Sequence, residues 1–267
     1  MKTLGDQGSL GTLHPVRASA REAVVLPVYE EAETVGCVLD AVRRHFDGLV
    51  IVVDDGSADE TPNLLRARDD LVVLTHAVNR GYGQSLIDGM SYAHAHGIEH
   101  VVTMDCDGQH EPSHVRPFLD ALAASDVEIV SGSRYLPESP VIGTAPPRRR
   151  EVNARVTSFI NDVAGFGLTD AFCGLKAYRV APIVSLALRE PGYALPMELW
   201  AKAHRAGLRV AERAIERIYH DQDRSFGADL DDHERRFAYY LRVWEAALAE
   251  AVSSAPVRPR VLAGQRS

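Results

Sequence analysis

Two carboxylates with one residue between them, Asp105 and Asp107 in VVTMDCDGQH, are the feature of this sequence most suited to chemistry. The apolar run before them reads as a strand, and residues i and i+2 of a strand point to the same side. A strand entering this turn therefore aims both carboxylates at one point. Two adjacent anions repel, so the pair needs a proton or a cation between them, and oxygen-only ligands favour Mg²⁺ or Mn²⁺. Asp-Cys-Asp-Gly is also an ordinary turn composition. The position of the run favours the functional reading: ligands of open α/β sheets bind at the carboxyl ends of strands, and further carboxylates occur at other strand ends here.

The elements that must position this pair follow a strand-and-helix alternation. AVVLPVYEE (23–31) reads as a buried strand ending in Pro27, Tyr29 and Glu30, and Val35, Val38, Leu39, Val42 and Phe46 follow at helical spacing. GLVIVVDDGSADET (48–61) repeats the design, with Asp54 and Asp55 placed to accept hydrogen bonds from a base or a ribose. Ser57 and Glu60 have capping-box spacing, which predicts a helix start at Ser57. A third strand, LVVLTH (71–76), precedes NRGYG, a glycine turn without the three-glycine pattern of a dinucleotide fingerprint.

After Asp107, Pro112 opens a helix to about Ala124, and VEIVSGSRY (127–135) is a strand ending in Arg134. A loop rich in proline and arginine follows, then a helix over 151–164. Arg148, Arg149 and Arg150 are either a solvated run or a phosphate site. Asp170 stands before a small apolar turn and a strand, and Glu198 lies in the first turn of a helix over 196–207. LRVAERAIERIYH (208–220) is one strand, and an amphipathic helix over 231–252 closes the core.

Length and composition fit one large α/β domain over residues 22–252, with residues 1–21 as a flexible arm and 253–267 as a disordered tail. Hydrophobic residues make up 46% and charged residues 25%, which supports a sizeable core. A net charge of -8 argues against nucleic acid as a partner. The spacing of Cys37, Cys106 and Cys173 suggests neither a zinc site nor a disulfide framework, which fits a reducing cytoplasm. The apolar runs are far shorter than the roughly 20 residues of a bilayer span, so at most peripheral membrane contact is expected.

PVYEEAETV, VVDDGSADET, NRGYG, MDCDGQHEP, GSRY and FCGLKAYR, in this order, resemble the inverting glycosyltransferases of family 2. Within that family they look most like dolichol-phosphate mannose synthases and other polyprenyl-phosphate glycosyltransferases. The resemblance implies a GT-A fold, a Rossmann-like mixed central sheet flanked by helices, with a nucleotide-diphosphate sugar donor and Mg²⁺ or Mn²⁺. It assigns Pro27, Tyr29, Glu30 and Asp54 or Asp55 to the nucleoside, and Asp105, Asp107 and Gln109 to the metal and diphosphate. Arg134, and Arg224 in DRSFG, would contact a phosphate. Tyr82 stands where many relatives carry a lysine.

The acceptor determines whether a base is needed. A phosphate monoester, with a second pKa of about 6, arrives ionised. An alcohol must lose a proton, and Asp170, then Glu198, are the base candidates; the alternative for either is a structural role, as the helix dipole favours an acid at the position of Glu198. The expected activity is a metal-dependent glycosyl transfer with polyprenyl phosphate as the leading acceptor; the alternatives are a soluble hydroxyl acceptor and, second, a catalytically silent nucleotide-sugar-binding subunit, and a homodimer stays open.

Overall fold

The computed structural model describes residues 21–142, 147–218 and 232–250, with 147–150 by backbone alone. The expected arm and tail, apart from Arg21, lie outside the described residues. So do Arg224 and the rest of DRSFG.

The first half builds three parallel strands with helical crossovers. In chain order these are β1 (Glu22–Val28), α1 (Val35–His45), β2 (Leu49–Asp54), α2 (Thr61–Arg66), β3 (Val72–Thr75) and α3 (Tyr82–Ala95). Next come β4 (His100–Thr103), α4 (Val115–Ala124), β5 (Ile129–Ser133), a short β6 (Val141–Ile142) and α5 (Pro147–Ala164). The chain ends with β7 (Lys176–Arg179), α6 (Val180–Ser185), α7 (Leu195–Arg205), β8 (Val210–Ala214), β9 (Arg217–Ile218) and α8 (His233–Ala249).

Seven strands form one sheet in the order β3-β2-β1-β4-β7-β5-β8, and β6 pairs with β9 apart from it. Only β7 runs antiparallel within the large sheet. Alternation along β1 explains the layering. Ala23 and Val25 face a core shared with α3, α5, α6, α7 and α8, while Val24, Leu26 and Val28 face one shared with α1 and α4. Helices thus cover both faces, as buried parallel strands require.

Strand order reverses at β1, whose neighbours β2 and β4 lead to opposite edges of the sheet. The carboxyl ends of β1, β2, β4 and β5 and the amino end of antiparallel β7 lie along one rim. That rim is the crevice where open α/β sheets take ligands. Pro27 helps to open it. The Val25 carbonyl accepts from Met104 N–H, so Pro27, two residues on, turns the position of its missing N–H toward β4, which has already ended.

Among the boundaries that differ from the sequence expectations, three bear on the rim. The second helix starts at Thr61, because Ser57 Oγ accepts from Glu30 N–H (2.9 Å) and Asp59 receives Thr61 N–H (3.0 Å). The helix expected from Glu151 begins at Pro147, a residue suited to a first turn, so the arginine run lies within it. The strand expected over 208–220 breaks after Ala214 into β8 and β9.

Candidate active site

Asp105 and Asp107 leave the carboxyl end of β4 half-exposed, while Met104 and Cys106 between and before them are buried. Asp105 is held on several sides. Tyr82 donates its hydroxyl to Asp105 Oδ1 (2.9 Å), and a Cβ added at Gly174 would lie 2.2 Å from Asp105 Oδ2. Burial, and then the charge of Asp105, raise the Tyr82 pKa well above the ordinary phenol value, so Tyr82 is the donor. Asp107 Oδ1 accepts from Gln109 N–H (2.9 Å), and Gly108 takes a positive φ of 75° in this turn.

His110 is not a further acid-base group beside the pair. Its Nδ1 accepts from Asp105 N–H (3.2 Å), which places the ring proton on Nε2. Burial lowers its pKa, against the opposing pull of Asp105 and Asp107. Among the described residues, no group of three or more His, Cys, Asp or Glu side chains converges on a metal position. Two hard carboxylates fit Mg²⁺ or Mn²⁺ nonetheless, because such ions commonly take one or two protein carboxylates and complete their shells with water and substrate phosphate.

The nucleoside candidates sit at the ends of β1 and β2. Tyr29 and Glu30 are exposed, and Glu30 is one of two described non-glycine residues with positive φ (53°). Asp54 is buried and its Oδ1 accepts from Ser57 N–H (3.1 Å). Asp55 anchors the next turn: Oδ1 accepts from Arg80 N–H (2.8 Å), and Oδ2 from Gly81 N–H (2.8 Å). His76 bridges Asp55 Oδ1 (2.6 Å) and Asp88 Oδ2 (3.0 Å), and Asp88 in turn receives Arg80 Nη1 (2.9 Å) and Gln84 Nε2 (2.9 Å).

Asp170, the first base candidate, is committed to an ion pair. It is 0% exposed, and its carboxylate receives Arg134 Nε (2.6 Å) and Nη2 (3.0 Å), Arg134 N–H (3.2 Å) and Asn153 Nδ2 (2.8 Å). Burial alone would raise its pKa, but the Arg134 charge and these hydrogen bonds outweigh it and hold the group down to about 2. Such a carboxylate is a poor proton acceptor from an alcohol. Lys176 lies buried nearby, donating to Cys173 O, with its pKa lowered first by burial.

Glu198, the second base candidate, is also committed elsewhere. Its Oε2 accepts from Arg189 N–H (2.8 Å) and Glu190 N–H (2.7 Å), and its Oε1 pairs with Lys202 Nζ at 2.6 Å. It clamps the segment before α7.

Comparison with known proteins agrees with this arrangement of sheet and helices. The glycosyl transferase family 2 model matches residues 23–185. The chain belongs to glycosyl transferase family 2. This glycosyltransferase is 30% identical over 206 residues to an undecaprenyl-phosphate mannosyltransferase of Micrococcus luteus, a match covering 73% of this chain and 82% of that protein. It is 29% identical to a polyprenol monophosphomannose synthase of Mycolicibacterium smegmatis, over 79% of this chain and 82% of the relative. The fold matches glucosyl-3-phosphoglycerate synthase of Mycobacterium tuberculosis, solved with Mn²⁺, uridine diphosphate and phosphoglyceric acid. That likeness has a TM-score of 0.65 at 21% identity and covers 94% of this chain and 87% of the other. The glycosyltransferase thus has the GT-A fold.

Several residues of this glycosyltransferase gave no usable signal in the sequence. His76 reaches Asp55 across 21 residues and Asn153 reaches Asp170 across 17, and Asp88 enters the site through His76. Tyr82 was visible as a departure from a lysine pattern, but its bond to Asp105 was not.

Proposed function

We propose that this glycosyltransferase moves a hexosyl group, with inversion and with a divalent metal, from a nucleoside-diphosphate sugar to a polyprenyl phosphate. The observation that carries the acceptor assignment is the commitment of both expected bases. With Asp170 in an ion pair and Glu198 in a loop clamp, the chemistry suits a nucleophile that arrives ionised. The names of the relatives support the same acceptor class.

In this reading Pro27, Tyr29 and Glu30 line the nucleoside position, and Asp54 bonds the base or ribose with the oxygen that Ser57 leaves. Asp105 and Asp107, with Gln109 beside them, would hold Mg²⁺ or Mn²⁺. The ion would supply Lewis-acid stabilisation of the departing diphosphate. Arg134 keeps two nitrogens on Asp170 and has further N–H groups for an acceptor phosphate. Attack from the face opposite the leaving group inverts the anomeric carbon in one displacement. Arg224 and the arginines of α5 would add phosphate contacts.

No described helix is long and apolar enough to cross a membrane. In this reading a lipid acceptor would be met at a bilayer surface. A soluble hydroxyl acceptor is the second reading.

The test offers a polyprenyl phosphate and the matching polyprenol in the same donor mixture with Mn²⁺. The proposal expects glycosylated phosphate and no glycosylated alcohol. Transfer to the alcohol, with none to the phosphate, would replace it with the hydroxyl-acceptor reading.

A further inference from the structure

Tyr82, which holds Asp105, carries a second aromatic ring on its face. Tyr82 opens α3 and reaches Asp105 with its hydroxyl. Tyr193 stacks on Tyr82, with ring centroids 5.7 Å apart and planes 20° apart, yet remains 44% exposed.

The segment that presents Tyr193 is firmly seated. Glu198 accepts the N–H groups of Arg189 and Glu190, and Glu190 Oε1 accepts from Gly192 N–H (2.9 Å) and the Tyr239 hydroxyl (2.5 Å). Gln84 N–H donates to Pro191 O (3.1 Å). A Cβ at Gly81 would lie 2.3 Å from Pro191 O, and one at Gly83 would lie 2.3 Å from Glu190 O. The segment therefore needs glycine at both positions to dock on the start of α3. An exposed ring on so constrained a backbone is pre-organised for a ligand, because little ordering remains to oppose binding.

We propose that Tyr193, stacked on Tyr82, is a shelf for the sugar ring of the donor, which makes it a specificity-determining residue. This rests on the donor reading above. The hexose is bonded directly to the diphosphate, and the shelf stands one side chain from Asp105, the carboxylate assigned to that diphosphate and its metal. A pyranose presents a face of C–H groups, and the aromatic face carries the complementary negative quadrupole. A polyprenyl phosphate brings no pyranose of its own, so the donor's hexose is the occupant.

Binding of UDP, GDP, UDP-glucose and GDP-mannose to the full chain with Mn²⁺, measured by calorimetry, tests the shelf. Tyr193→Ala should weaken the sugar nucleotide that binds wild type by about fivefold, the equivalent of roughly 1 kcal/mol. The matching nucleoside diphosphate should change by less than about twofold, within the scatter of a contact not made. Tyr193→Phe keeps the ring and should behave as wild type, which separates stacking from folding. Equal weakening of sugar nucleotide and nucleoside diphosphate, or no weakening of either, would overturn the shelf. If wild type binds none of the four, the donor reading fails and takes the shelf with it.

Discussion

Arg134 and Asp170 meet across 36 residues of sequence in a bidentate ion pair, with the carboxylate fully buried at the rim of the sheet. The pair joins the end of β5 to the turn before β7. It makes Asp170 the residue that orients Arg134, and this sets the first prediction. Asp170→Asn should lower stability by about 3 kcal/mol, since it leaves a guanidinium without its counter-charge. Chemical denaturation reads this. The pH–rate profile of the remaining activity should keep its shape, whereas loss of a general base would remove its acidic limb.

The same pair sets a dependence on pH. Asp170 has a folded-state pKa of about 2, depressed below the usual carboxylate value of about 3.9. Its contribution is fully present above about pH 4 and is lost as pH falls toward 2, because the unfolded chain takes up the proton first. Stability curves for wild type and Asp170→Asn should converge over that window. Parallel curves would show that the carboxylate is not the group responding.

Glu198 predicts a structural loss. Glu198→Gln gives up the charge facing Lys202 and weakens the acceptor of the Arg189 and Glu190 N–H groups. The expected cost is about 2 kcal/mol, read as a lower melting temperature, with the pH–rate profile unmoved.

Gly174 predicts a functional loss without a comparable loss of fold. In Gly174→Ala the new methyl would stand 2.2 Å from Asp105 Oδ2, so the carboxylate must move. Metal affinity, read from the Mn²⁺ concentration for half-maximal activity, should weaken by about tenfold, as for other residues that orient a metal ligand. An unchanged Mn²⁺ requirement would show that Asp105 does not set it.

The first strands and the acids at their ends are legible in the sequence because both are local. Apolar runs ending in acids mark β1, β2 and β4, and a period of two or 3.6 is read within one element. The roles at the rim were not legible where they depend on partners far along the chain. Asp170 looked like an available carboxylate because nothing in TDAFCG reveals Arg134 or Asn153 against it. Ser57 looked like a helix cap, but its hydroxyl serves Glu30, 27 residues earlier. Nothing in NRGYG reveals the contact of Tyr82 with Asp105, which depends on α3 lying against β4.

Asp107 carries the central claim, and one measurement tests it directly. Wild type and Asp107→Asn are incubated with a polyprenyl phosphate and each of a set of UDP- and GDP-sugars, with Mn²⁺ or with EDTA, and the lipid product is read by mass spectrometry. The account predicts hexosyl-phosphate lipid from wild type with Mn²⁺, none with EDTA, and a rate at least about 100-fold lower from Asp107→Asn. Lipid product that forms equally well in EDTA, or at the wild-type rate from Asp107→Asn, would contradict it.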